Sequence, residues 1–329
     1  SDLPFDTLDV SSSSGDSLTF ATGYTKATTV KVGAGDSVIN SAKLNLTVSG
    51  TAGDFSTGDS TVVTGSSSTK NDSLSITADS STVLTDTLIT NVNTITVVDA
   101  GDNTTGASKL SGKDFTLNLT NYATALTVDA SALDAANVDD SGGDGKITEA
   151  DASAEKLVIV GASTKALTIT GGGSDDTILG SSDSAAGDTL KGGTGADTFN
   201  MGDGGLTYLD TIDGGDGTDI VKVLGDVTDV DFMNVSNVET LTLDEGDTST
   251  NVLGAYFNST GFTTVNLDTN AISTISAAGT SGNITYVSGA AQAEAITAGL
   301  GNDTFVFNAT GTLTGGNTGD AIDGGAGLD

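Results

Sequence analysis

The sequence predicts an all-β chain wound as an elongated parallel β-solenoid or β-roll, and three observations predict it. Short period-two runs of apolar and polar residues follow one another between Gly, Ser, Asp and Asn turns, with no helix-period stretch of useful length. The composition suits thin β-layers: 329 residues contain 45 Gly, one Pro and 5% aromatics, and Thr, Ser, Val and Ala fill most of the rest. A Gly-rich unit of nine residues recurs, the mark of an architecture in which each repeat buries its apolar residue only against a stacked neighbour.

The elements follow in chain order. Residues 1–87 carry period-two runs such as Thr28-Thr29-Val30-Lys31-Val32, Leu44-Asn45-Leu46-Thr47-Val48 and Ser73-Leu74-Ser75-Ile76 but no nine-residue unit, so they read as irregular solenoid turns or a β-sandwich, the solenoid being favoured. Residues 88–180 read as a first solenoid copy with an insertion at 130–155, residues 181–231 as roll turns, residues 232–306 as a second copy and residues 307–329 as truncated roll turns. The copies are an internal duplication. Residues 156–178 align without gaps on 283–305, and NVNTITV at 91–97 matches NVETLTL at 237–243.

The nine-residue unit reads G-G-x-G-x-D-x-U-x, where U is a large apolar residue. One complete copy runs Gly192-Gly193-Thr194-Gly195-Ala196-Asp197-Thr198-Phe199-Asn200, and the other runs Gly214-Gly215-Asp216-Gly217-Thr218-Asp219-Ile220-Val221-Lys222. Degenerate copies end in Asp176-Thr177-Ile178, Asp303-Thr304-Phe305 and Asp320-Ala321-Ile322, with weaker echoes at Asp188-Thr189-Leu190 and Asp210-Thr211-Ile212. Gly permits the positive φ of a tight turn, turn carbonyls converge, and Asp adds a charged oxygen, which together make a hard-cation site.

These residues resemble the RTX (repeats-in-toxin) family, whose members form a parallel β-roll with calcium between turns and are typically exported by bacterial type I secretion. The resemblance covers 171–222, with outliers at 298–329. It implies calcium ligation by the carboxylates of Asp176, Asp197, Asp219, Asp303 and Asp320 and by the loop glycines Gly192, Gly193, Gly195, Gly214, Gly215 and Gly217 through their carbonyls. Ser174 and Thr318 replace the fourth-position Gly and Ala298 the first, so those sites are expected to be weaker or empty.

Asp140 to Asp151 follow the twelve-position EF-hand loop, with acids at positions 1, 5 and 12, Gly145 at the turn and Ile147 at the apolar position. Asp140, Asp144, Lys146 and Asp151 are the candidate ligands, Lys146 standing at the position that supplies a backbone carbonyl. Gly142 at position 3 and the shorter Asp151 at position 12 predict weaker affinity than a sensor loop. The flanking Ala130–Asn137 and Glu149–Lys156 are the only candidate short helices.

Charge and missing residues exclude several functions. The formal net charge is -33, the 11 basic residues are all Lys, and only five of the 44 acids are Glu. Nucleic acid is not a partner for such a surface. The chain lacks Cys and His, which removes thiol chemistry, zinc-protease motifs and His-based triads, and no apolar run is long enough to span a bilayer. No enzyme activity is expected. The start at Ser1 and the stop inside a repeat at Asp329 suggest a piece of something larger.

Acidity, the Thr/Val/Gly bias and the nine-residue loops together resemble surface-layer proteins exported by type I secretion. That resemblance implies secretion to the cell surface, several calcium ions, self-association into a two-dimensional lattice and anchoring, through another part of the protein, on cell-surface polysaccharide. A segment of a secreted RTX adhesin, or the RTX module of an enzyme whose catalytic domain lies outside this chain, are the alternatives.

Overall fold

A computed structural model of the chain describes residues 6–12, 15–22, 28–41, 45–55, 62–66, 72–78, 82–85, 88–99, 115–119, 122, 125–133, 157–160, 163–182, 184–202, 205–243, 250–267, 274–288, 295–307 and 321–329. They divide into two compact units, Ser1–Ile178 and Leu179–Asp329. Both units are parallel β-solenoids. Helical structure among the described residues amounts to three 3₁₀ turns, Ala52–Phe55, Asp229–Phe232 and Phe257–Ser259. No helix among the described residues is long and apolar enough to cross a membrane.

In the first unit one sheet carries, in order, Thr7–Asp9, Thr28–Lys31, Leu46–Thr51, Ser73–Ala78, Thr94–Asp99, Leu126–Asp129 and Leu167–Thr170, every neighbouring pair being parallel. A second sheet stacks Ser17–Phe20, Ser37–Asn40, Val62–Thr64 and Ile89–Thr90. A third stacks Thr82–Thr85, Phe115–Asn118, Leu157–Val160 and Thr177–Leu179. Each circuit of chain returns beside the previous one, so the described strands of residues 1–87 are solenoid coils and not an antiparallel sandwich.

Period-two patterning explains the inside and outside of these coils. Val30, Val48, Leu74, Ile95, Val128 and Ile169 lie opposite one another on successive strands, none more than 1% exposed. Burying each such side chain is worth about 1.5–3 kcal/mol, and only a stacked neighbour supplies the burial. The alternating positions hold a second ladder, Thr29, Thr47, Ser73, Thr94, Thr127 and Thr168, whose small β-branched or hydroxyl side chains face outward. Thr47 and Ser73 join their hydroxyls across it at 2.9 Å.

The second unit repeats the plan. Thr189–Thr194, Thr211–Asp216 and Val235–Ser236 make one parallel sheet. Thr198–Met201, Ile220–Val223, Thr240–Leu243, Thr264–Asn266, Thr285–Ser288 and Thr304–Phe307 make another, and Thr250–Val252, Thr274–Ser276, Ala295–Thr297 and Ala321–Asp323 a third. The core ladder here is Phe199, Val221, Leu241, Val265 and Tyr286, ending on Phe305, whose ring stacks on Tyr286 at 5.4 Å and 13°. Phe232, Phe257 and Phe262 fill a corner with centroids 4.9 to 5.7 Å apart.

The duplication is visible as geometry. Asn91 and Asn237, aligned by the NVNTITV and NVETLTL match, are the non-Gly residues with positive φ among the described residues, at 54° and 52°. Asn tolerates this left-handed conformation because its short side chain bonds locally. Each sits where the chain enters a strand and presses its carbonyl against a glycine one coil earlier, Gly65 for Asn91 and Gly214 for Asn237.

Candidate metal centre

The two complete nine-residue units stack coil on coil: Gly193 lies opposite Gly215, Thr194 opposite Asp216 and Phe199 opposite Val221. Gly193, Gly195, Gly215 and Gly217 all have positive φ. Side chains at Gly215 and Gly217 would overlap the carbonyls of Gly193 and Gly195 on the coil before, so the loops approach closely only because no Cβ intervenes. A Cβ on Gly192 would meet the Asp197 carboxylate and the Gly214 carbonyl, and one on Gly214 would meet the Asp219 carboxylate and the Asn237 carbonyl. The first-position glycine of each unit is thus the floor on which its own Asp rests.

Asp197 and Asp219 are fully buried at the turn-to-strand junction, one coil apart. The Asp197 N–H donates to Asp219 Oδ1 at 2.7 Å, and the Asp219 N–H donates to Glu239 Oε2 at 2.8 Å. Three acids on successive coils are tied head to tail through backbone amides. Net free energy of such a charge-assisted bond is about 1.5–3 kcal/mol, enough to hold the carboxylate in place but not to neutralise it.

The same device recurs at other strand starts. Asp176 accepts Leu157 N–H and Gly172 N–H, both at 2.7 Å. Asp303 Oδ1 accepts Ile284 N–H at 2.8 Å, the same bond 127 residues on, while its Oδ2 is buried with no hydrogen-bond partner. Asp188 and Asp210, the weak echoes, cap Ser181 N–H at 2.7 Å and Thr207 N–H at 2.8 Å. In each bond that crosses coils in this series, the earlier coil donates and the later coil accepts.

Sequence reasoning missed two members. Asp36 is fully buried and accepts Gly33 N–H at 2.8 Å and Asp16 N–H at 2.9 Å. Asp72, 2% exposed, accepts the Asn40 side-chain amide at 2.8 Å, Leu46 N–H at 3.0 Å and Ser66 N–H at 2.5 Å. The signal that finds them is Asp-Ser followed by an apolar residue after a glycine at variable distance, as in Gly33 to Val38 and Gly65 to Leu74.

Two buried tyrosines flank these ladders. In the first unit Tyr122 donates to Val92 O at 2.6 Å and accepts Val92 N–H at 3.0 Å, and burial pushes its pKa up to about 12. In the second unit burial, reinforced by the charge of Asp303, raises the Tyr286 phenol well above its ordinary range.

Of the predicted ligands, then, Asp197 and Asp219 are brought together with Gly192, Gly193, Gly195, Gly214, Gly215 and Gly217, while Asp176 and Asp303 occupy equivalent positions elsewhere. Asp320, the loop residues Asp140, Asp144, Lys146 and Asp151 and the candidate helix Glu149–Lys156 lie outside the described residues; of the other candidate helix, residues 130–133 form a turn instead and the rest lies outside. Among the described residues no group of three or more Asp, Glu, His or Cys side chains converges as a metal site. The donors the turns do bring together are paired carboxylates and glycine carbonyls, all hard oxygen. Comparison with protein-family models, with curated proteins and with solved structures returned no match.

Proposed function

We propose that this chain is a structural protein of a bacterial cell surface that takes up calcium outside the cell, folds on it and assembles into a surface layer. The observation that carries the reading is the stacking of the two nine-residue turns, with buried Asp197 and Asp219 resting over glycines and facing carbonyl-rich loops. Oxygen-only donors of this kind suit calcium, for which extracellular modules have dissociation constants of about 10⁻⁴–10⁻³ M. Asp197, Asp219 and the carbonyls of Gly192, Gly193, Gly195, Gly214, Gly215 and Gly217 would hold it; the ion would supply the positive charge that 11 Lys against 44 acids do not.

Charge gives the mechanism its direction. With calcium scarce the acids repel one another and keep the chain open, and with calcium at ten times its dissociation constant each site adds about 1.4 kcal/mol to the folded state. Export as an open chain and folding at the surface follow from that difference. The role is structural rather than catalytic.

The test is a calcium titration of the chelated full chain, followed by circular dichroism and light scattering. A disordered-to-β transition followed by growing particles supports the reading. Folding without growth removes the lattice and favours an adhesin or carrier module, and β-structure indifferent to chelation removes calcium. Asp197→Ala and Asp219→Ala should each shift the transition to higher calcium; an unchanged midpoint in both would overturn the ligand assignment.

A further inference from the structure

We infer that the second unit carries a self-association contact at the corner formed by Tyr208, Met233 and Tyr256, where it meets the same corner of a second copy of this chain. This rests on the surface-layer reading above and names the face through which copies would touch.

Three successive coils build the corner. Tyr208 and Leu209 stand in the turn before Thr211–Asp216, Val230 and Met233 stand in and just after the 3₁₀ turn Asp229–Phe232, and Tyr256 immediately precedes the 3₁₀ turn Phe257–Ser259. The Asn234 side-chain amide donates to Tyr208 O at 3.0 Å, which ties the first coil to the second. The N–H groups of Tyr256 and Phe257 both donate to Asp229 Oδ1 at 3.1 Å, which ties the second to the third. Behind the corner the rings of Phe232, Phe257 and Phe262 pack together, and the Thr228 N–H and hydroxyl both donate to Asp231. The surface is therefore held in shape before anything docks on it.

Yet it is apolar and open. Tyr208 is 51% exposed and Tyr256 43%, the exposed large aromatics among the described residues, and Leu209, Val230 and Met233 are exposed beside them. Clustered apolar side chains on a surface mark a contact, and Tyr and Met are enriched at the centre of protein interfaces.

Charge and hydrogen bonding identify the occupant. The chain carries a net charge of -33, so two copies repel across most of their surfaces. The acids of this corner are turned onto its own backbone: Asp210 accepts Thr207 N–H, Asp229 accepts Tyr256 and Phe257 N–H, and Asp231 accepts Thr228 N–H. The side chains offered to a partner are thus the five apolar ones. A sugar would need polar side chains beside the rings that are free to bond its hydroxyls, whereas Asn234 and Asn258 already bond to backbone groups.

The order Tyr208, Met233, Tyr256 reads the same in both directions along the solenoid, over two coil spacings of about 10 Å in total. A two-fold contact then sets Tyr208 against the partner's Tyr256 twice, with Met233 on the axis. Such a contact is small beside the about 1,200–2,000 Å² of a stable pair, so it acts as one of many in an extended assembly.

The test uses the full chain in calcium. The double variant Tyr208→Ser, Tyr256→Ser should fold at the parent's calcium midpoint by circular dichroism, yet the protein concentration at which light scattering grows should rise about tenfold or more. Met233→Cys, in a chain with no other Cys, should form covalent dimers on mild oxidation, and these should vanish when both tyrosines are also replaced. Growth of the folded double variant at the parent's concentration, or Met233→Cys remaining monomeric on oxidation, overturns the corner contact while leaving the surface-layer reading intact. Dextran oligosaccharide that changes the tyrosine fluorescence of the parent but not of the double variant gives the corner to a sugar and overturns the self-contact. A parent chain that folds in calcium without growth, together with a Met233→Cys chain that gives no dimer, overturns both.

Discussion

Residues 156–178 and 283–305 align without gaps and share the Asp-to-amide bond between coils, yet they treat the same carboxylate differently. In the first, Asp176 is enclosed by two amides; in the second, Asp303 has one amide, an orphan oxygen and a tyrosine where the first has Ile159. The backbone encloses one carboxylate on both oxygens and the other on one only. The fold is indifferent to which is used, because the Asp-to-amide bond between coils is made in both. Solenoid coils of this kind can thus combine turns whose carboxylate is closed by two amides with turns whose carboxylate keeps one oxygen unbonded.

The sharpest way to break this contrast is at Asp72, the first-unit carboxylate with the most amide partners. Asp72→Ala leaves the Asn40 side chain and the amides of Leu46 and Ser66 without an acceptor. About 3 kcal/mol or more should be lost from the denaturant-unfolding free energy, equally with calcium and with chelator. A loss that appeared only in calcium would place a metal where only amides are drawn.

Next in size is the matched pair at the two copies. Asp176→Asn should cost about 1–3 kcal/mol at any calcium concentration, since one of its amides then meets an NH₂ group. Asp303→Asn should be neutral or stabilising in chelator, where it removes a buried charge, and destabilising in calcium. Equal costs for the two, in both conditions, would abolish the distinction.

The tyrosines sharpen it further. Tyr122→Phe removes the bond to Val92 O and orphans Val92 N–H, about 1–3 kcal/mol. Tyr286→Phe removes a hydroxyl whose only approach is to Thr280, short of a well-formed hydrogen bond, and should lie within about 0.5 kcal/mol of the parent in chelator. Alkali adds a sign. Burial holds the folded-state pKa of Tyr122 at about 12 against an ordinary 10.0, so its neutral form stabilises the fold fully below pH 10 and that contribution is lost as pH rises through 12. Thermal melts of Tyr122→Phe should fall less steeply between those values than melts of the parent.

Smallest of all should be Lys31→Ala. The Lys31–Asp9 pair is 3.8 Å apart with both side chains more than half exposed, and the melting temperature should not move.

Much of this was legible because the repeat is written in residues with few alternatives. Gly at φ of 105° to 153°, an Asp two residues after the last of them and an apolar residue two positions beyond the Asp leave one way to stack, and the register of Gly193 on Gly215 follows. Asp36 and Asp72 were not legible from a nine-residue pattern because the physics does not require nine residues. What it requires is a glycine floor and an Asp at the strand start, and the loop between them is short after Gly33 and long after Gly65. The division of labour between Asp176 and Asp303 was also hidden, since it depends on which amide reaches the second oxygen. Ser174 and Ala298 marked both sites as departures from the repeat without saying which way each would resolve.

The carboxylates at strand starts give each unit a direction, although Tyr256 and Phe257 N–H reach back to Asp229. From Asp16 on Asp36 in the first unit to Asp303 on Asp329 in the second, the amide at a strand-start site is received by the coil that follows it in the chain. A coil laid down onto its successor finds the acceptor already waiting; one laid down onto its predecessor leaves its own amide open until the next arrives. The two ends of a growing stack are therefore unequal templates, and winding should advance more readily from the C-terminal side than from the N-terminal side.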